Sequence, residues 1–494
     1  MIAILLNDNA YEQDIRELLM AFYPGESFVY ERNEDAAAAV VGHLDRDRKS
    51  YTLFFVGRGK LEYHPWGLSE EERREQAVFD EPIPVDLENR AETKSRIKRR
   101  LYVILKTYTG KTLPWGTLTG IRPTKIAMTK LEEGMDEEAI ASYMKKTYFA
   151  SDEKIRLSIE IAKRERQLLS TIDYQHGYSL YIGIPFCPTT CLYCSFTSYP
   201  IGKWAGRTQL YLDALYREME YVARKKQGCP LETVYFGGGT PTSLTAEDLD
   251  QLITKLKATF DFSRVQEFTV EAGRPDSITR EKFAVLKKHG VTRISINPQT
   301  MKQETLDLIG RHHSVQDVKD CFHLAREMGF DNINMDLIIG LPEEELPDVR
   351  ATMEEIKALS PDSVTVHSLA IKRAARLNTM KEVYKDLKIV NTQEMIDLTA
   401  RYAREMGLEP YYLYRQKNMA GNFENVGYAA PGKACIYNIL IMEEKQTIVA
   451  CGAGTTTKVL FAGENRLERV ENVKDVEQYI GRIDEMIERK ERLL

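Results

Sequence analysis

At 494 residues the chain is too long for one ordinary core, so a large domain of about 200–250 residues with accessory pieces is expected. Its 43% hydrophobic and 29% charged residues exclude a fibre or a disordered chain, and its net charge of −6 argues against a nucleic-acid partner. The opening MIAILLNDNAYEQD lacks the basic start and longer apolar stretch of a secretory signal, and no apolar run approaches the ~20 residues that span a bilayer. A cytoplasmic protein with no membrane partner is therefore expected.

Residues 1–85 read as a small α/β unit, with strands at IAILL and YTLFFV and a helical pattern through Ile15, Leu18 and Leu19. Residues 86–175 read as a helical connector. It starts with a basic helix (KSRIKRRLYVILK), best taken as a solvated face, and continues into the turn-rich GKTLPWGTLTGIRPTK. TGKT at 109–112 is not a phosphate loop, because the required glycine five residues before Gly110 is Leu105.

From residue 176 to 390 short apolar runs alternate with amphipathic helical ones. The runs SLYIGI, TVYFGG, EFTVEA, RISINP, NMDLIIG and SVTVHSL are separated by helical stretches such as YLDALYREMEYVARK and VQDVKDCFHLAREMG. This is the rhythm of repeated βαβ units on a parallel sheet. Six units fall short of a closed eight-stranded barrel, so the fold class expected is α/β: a partial (β/α)6 barrel with a small N-terminal α/β domain and a C-terminal α+β extension. Chemistry in such sheets gathers at the carboxyl ends of the strands. The extension, 391–494, should hold a helix (TQEMIDLTARYARE), strands at YNILIM and TIVACG, and a charged terminal helix, together forming a lid or a substrate-facing lobe.

Three of the seven cysteines, Cys187, Cys191 and Cys194, crowd into CPTTCLYC just after the first strand of this region. Cys229, Cys321, Cys435 and Cys451 are scattered and read as buried apolar filler. A structural zinc site needs a fourth ligand, for which His176 is the only nearby candidate, and a disulfide suits neither a reducing compartment nor so tight a loop. Three thiolates can instead cap three irons of a four-iron cube, leaving one iron open. S-adenosylmethionine can chelate that open iron, and one electron then splits its sulfonium to a 5′-deoxyadenosyl radical.

The stretch YIGIPFCPTTCLYC resembles the signature of radical S-adenosylmethionine (radical SAM) enzymes. SLYIGIPFC, GGGTPTSL at 237–244 and MDLIIGLP at 335–342 resemble the oxygen-independent coproporphyrinogen III oxidase group and its heme-chaperone relatives. PWGTLTGIRPTK, YRQKN and ENVGYA resemble its HemZ branch. The resemblance implies a radical SAM partial barrel, a [4Fe–4S] cluster on Cys187, Cys191 and Cys194, and S-adenosyl-L-methionine held by Tyr181, Tyr193, Gly238, Gly239, Thr240, Glu271, Gln299, Arg311, Asp336 and Ala370. Consecutive glycines at a strand end also permit a close backbone approach to a ligand, and Glu271, closing FTVEA, suits ribose hydroxyls or an amino group.

The function implied is decarboxylation of coproporphyrinogen III propionates to vinyl groups, giving protoporphyrinogen IX, with an electron donor such as flavodoxin or ferredoxin. A porphyrinogen or heme would be the small-molecule partner. Bidentate arginines suit its carboxylates, and Arg274, Arg293, Arg373, Arg376 and Arg415 are candidates. Two positions depart from the family's pattern. Phe196 stands where the decarboxylases carry a further cysteine, and Gly183 where the strand usually has histidine. A heme-binding chaperone therefore stays open, with His312, His313, His367 and Cys435 as iron ligands, as does a radical SAM enzyme acting on heme.

Overall fold

The computed structural model describes all residues except 32–35, 37, 58–77, 80–81, 121, 373, 381, 385, 416–422 and 462–465. The chain divides into two compact units, Met1–Glu160 and Ile161–Leu494.

In the first unit, strands β1 (Ile2–Leu6), β2 (Phe28–Val29), β3 (Ala38–Asp45), β4 (Ser50–Gly57), β5 (Val78–Phe79) and β6 (Ile83–Pro84) form a sheet in the order β2-β1-β3-β4-β5, with β6 also on β4. IAILL and YTLFFV fall in β1 and β4, and Ile15, Leu18 and Leu19 are fully buried on the helix Glu12–Phe22. The basic stretch lies in the helix Arg90–Thr109, which turns Ile97, Leu101 and Leu105 into the same core and ends on left-handed Gly110. The loop after it is packed: Trp115 is fully buried, and the Ser151 amide donates to the Pro114 carbonyl at 2.8 Å.

The second unit holds the expected alternation. Strands β7 (Tyr178–Ile184), β10 (Leu231–Gly238), β11 (Glu267–Glu271), β12 (Arg293–Ser295), β13 (Ile333–Ile339) and β14 (Ser363–Ser368) run parallel in chain order, with the short pair β8 (Phe186–Cys187) and β9 (Tyr199–Pro200) beside them. These strands are buried almost throughout, as a parallel sheet between covered faces requires. Helices Thr208–Lys225, Ala246–Thr259, Arg280–Lys288, Val315–Glu327 and Leu346–Leu359 connect them. Several begin on side-chain caps, among them Thr245 and Ser314, the latter in a reciprocal box with Asp317.

The sheet extends at both ends. β16 (Asn425–Ala429) and β15 (Glu409–Tyr414) add antiparallel beyond β14, while β17 (Thr447–Cys451) joins β7 in parallel and leads to antiparallel β18 (Thr456–Phe461) and β19 (Arg466–Glu471). TIVACG is thus a strand, but YNILIM is not. It lies in the helix Ile436–Glu443, whose first amides, of Ile436 and Tyr437, donate to Glu267 at 2.7 and 3.2 Å. A short apolar run fits strand or buried helix equally by period, and the carboxylate that caps this one lies far back in the chain. Among the described residues, no helix is long and apolar enough to cross a membrane.

Candidate functional site

The carboxyl ends of the parallel strands open on one cavity of about 580 Å³. Cys187, Cys191 and Cys194 line it, and so do Tyr181, Tyr193, Gly238, Gly239, Thr240, Glu271, Gln299, Arg311, Asp336 and Ala370. The three cysteines and all ten residues that the resemblance assigns to S-adenosylmethionine therefore line one space. Ala370 does so from just past β14, which ends at Ser368.

The cysteine loop leaves β7 through β8. Each thiol has a polar neighbour: Thr240 Oγ1 lies 3.4 Å from Cys187 Sγ, Arg274 Nη1 lies 3.8 Å from Cys191 Sγ, and Ser198 and the Phe196 amide face Cys194. Burial pushes the Cys187 thiol up to about 11 and raises Cys194 as well. Iron would displace these protons on binding, and the charges of Arg274, beside Cys187, and Arg311, beside Cys194, favour the thiolates as well. The donor set, three soft sulfurs beside two buried guanidinium groups, fits an iron–sulfur cluster. His176 is not a fourth ligand: it is 77% exposed and pairs with Asp173.

The glycines at the end of β10 form a cradle. Gly238 sits at φ +107°, and a Cβ on Gly239 would meet the Phe186 and Ile184 carbonyls at 2.6 and 2.9 Å. Only glycine lets the backbone run here. Gly183 is crowded by a side chain instead, since a Cβ there would land on Thr455 Cγ2 and lie 3.3 Å from the Cys451 carbonyl. A larger residue at 183 would therefore require Thr455, which follows β17, to move aside.

Carboxylates and unsatisfied donors face the cavity from the later strands. Burial raises Glu271 to about 7, against the pull of the Tyr235 hydroxyl, which donates to its Oε1 at 2.7 Å. Burial also works to raise Asp336, but His367, Asn334 and Thr365 together hold its carboxyl below the usual range. Gln299 sits at φ +68°, a strained angle for its type, with its buried Oε1 lacking a protein partner. Arg311 donates to the Asn297 carbonyl and to the Tyr193 hydroxyl, yet its buried Nε has no acceptor. Such groups suit a polar ligand carrying both donors and acceptors.

The remaining candidates divide. Arg274, Arg293 and His367 line the cavity; Arg376, Arg415, His312 and His313 are not among its lining residues, and Arg373 lies outside the described residues, as do Gln416, Lys417 and Asn418 of YRQKN. Cys435 is fully buried and directed to Glu267. Of the scattered cysteines, Cys229 is exposed rather than buried. Sequence reasoning missed Tyr235 and Tyr437, which stack with Tyr181 along one wall at centroid distances of 4.5–6.1 Å. Tyr235 was within reach of it, since it pairs with Tyr181 in register. Tyr437 was hidden by the helix misread as a strand.

The radical SAM superfamily model matches residues 181–356. Over 99% of this chain and 96% of the relative, the sequence is 40% identical to the oxygen-independent coproporphyrinogen-III oxidase-like protein HemZ of Bacillus subtilis. It is 39% identical to the heme chaperone HemW of the same organism, over 39% of this chain and 51% of that one. The fold is similar to that of coproporphyrinogen III oxidase (HemN) from Escherichia coli, with a TM-score of 0.52 at 22% identity, covering 65% of this chain and 72% of that one. By its full-length likeness and its parallel-strand core, the chain belongs to the radical SAM superfamily, in the oxygen-independent coproporphyrinogen III oxidase-like group, and its cofactors are a [4Fe–4S] cluster and S-adenosylmethionine.

Proposed function

We propose that the protein converts propionate side chains of coproporphyrinogen III to vinyl groups without oxygen. The observation that carries this reading is the single cavity in which the three thiols, the glycine cradle and the strand-end polar groups converge, in a chain alike over its full length to an oxidase-like relative. Each propionate would lose carbon dioxide, one hydrogen atom and one electron, the electron passing to a one-electron acceptor. When bound, the cluster and S-adenosylmethionine supply hydrogen-atom abstraction.

The chain's own groups have separate tasks in this reading. Cys187, Cys191 and Cys194 hold the cluster. Gly238, Gly239 and Thr240 bring backbone to the methionyl part of S-adenosylmethionine; Gln299 and Arg311 pair with its polar ends; Glu271 and Asp336 accept from hydroxyl or amino groups. Tyr181, Tyr193 and Ala370 complete its contacts. A flavodoxin- or ferredoxin-like donor would deliver the electron that starts turnover.

A second reading, a heme-binding protein that keeps the cluster, is favoured by the HemW likeness and by Phe196 at the cavity mouth, 69% exposed. His367 would be its iron ligand within the cavity. The two readings separate in an anaerobic assay of the reconstituted protein with reductant, S-adenosylmethionine, coproporphyrinogen III and a series of electron acceptors. Decarboxylation predicts loss of two carbon dioxide units from the tetrapyrrole, abolished in Cys191→Ala. An intact tetrapyrrole with every acceptor, together with stoichiometric heme binding lost in His367→Ala, would overturn it in favour of the second.

A further inference from the structure

Arg274 belongs to no strand-end contact assigned above. Its side chain is 3% exposed, enters from the loop after β11, and binds in three directions. Nε and Nη2 form a bidentate pair with Asp276 at 2.9 and 2.6 Å; Nη1 donates to the Thr189 carbonyl and hydroxyl at 3.0 and 2.8 Å, inside the cysteine loop; the same Nη1 reaches Cys191 Sγ at 3.8 Å. The guanidinium is thus fixed by a fork of five contacts, with one N–H directed at the middle cysteine. A flexible ammonium could not hold this geometry. The other charged or titratable groups around it are Arg311, beside Cys191, and His313, 3.8 Å from Asp276 and kept neutral by burial and by the Arg311 charge.

We infer that Arg274 is a positioning residue that sets the reduction potential of the cluster through a charge-assisted N–H···S contact to Cys191, with Asp276 opposing it. The inference rests on Cys191 as a cluster ligand and is independent of which tetrapyrrole is bound. Reduction adds negative charge that is shared by the ligand sulfurs. A cation donating to one of those sulfurs stabilises the reduced form, and hydrogen bonds and charge near sulfur are among the main determinants of such potentials. Asp276 partly neutralises the guanidinium, so removing each group should move the potential in opposite directions.

The test is a redox titration of the reconstituted protein, followed by electron paramagnetic resonance of the reduced cluster, in the parent, Arg274→Gln, Arg274→Lys and Asp276→Asn. Iron and sulfide content are measured for each. Arg274→Gln should make reduction at least tenfold less favourable, a downward shift of 59 mV or more for one electron. Arg274→Lys should fall between it and the parent, and Asp276→Asn should shift upward. If Arg274→Gln fails to load iron, Asp276→Asn alone decides, and an unchanged or lowered potential there overturns the inference. Unchanged potentials in fully loaded variants overturn it too. Cys191→Ala that keeps a full iron complement would instead overturn the ligand assignment, which is a separate failure.

Discussion

Glu271 shows how one residue's surroundings carry both stability and binding. Its carboxyl ordinarily titrates near 4.5 and is raised to about 7 by burial. The folded state therefore holds the proton more tightly than the unfolded one. The stability this contributes is fully present below the unfolded value and is lost as pH rises through the folded one. Glu271→Gln keeps a neutral group at every pH, so between about pH 5 and pH 8 its thermal midpoint should fall less than that of the parent, measured on the cluster-free protein. Parallel slopes in the two proteins would contradict the raised value. S-adenosylmethionine carries a sulfonium, so its affinity for the parent should also rise through this range, more steeply than its affinity for the variant.

The elements around the cavity are held by groups far apart in sequence, and that decides what the sequence discloses. The six βα units are legible because each strand buries a continuous apolar run and each helix keeps an amphipathic period. The cysteine loop, the glycine cradle and Glu271 are legible because they sit at strand ends. The helix Ile436–Glu443 is not, since its cap is Glu267, and neither is the tie between the C-terminal helix, Ile483–Glu491, and the cavity rim. There Lys490 and Glu218, both fully buried, pair directly at 2.6 Å, while Glu218 also accepts from the Gly452 amide, Asn472 and Tyr479. Tyr211 adds a bridge from the Ala453 amide to the Gly183 carbonyl. Either charge alone would be stranded in the core, so Lys490→Met or Glu218→Gln should each cost about 3–5 kcal/mol, and the double variant less than their sum. Chemical denaturation measures the cycle; simple additivity would show that the pair is not coupled.

For the whole molecule, the architecture puts a dense polar site at one end of a sheet whose strands are otherwise apolar, and extends that sheet on both sides with C-terminal strands. The extension brings β17 beside β7 and carries Gly454 and Thr455 to the cavity, with Thr455 packed closely against Gly183. Both departures from the family's pattern therefore lie around one opening, Gly183 packed under Thr455 and Phe196 exposed at the mouth. The measurement that tests the account most directly follows the hydrogen atom. Coproporphyrinogen III deuterated on the propionate carbon next to the ring is turned over anaerobically with reductant and S-adenosylmethionine, and the 5′-deoxyadenosine is weighed by mass spectrometry. Abstraction from the propionate predicts one deuterium in the deoxyadenosine, in step with vinyl formation. Deoxyadenosine that forms without deuterium, beside an unchanged tetrapyrrole, would contradict it.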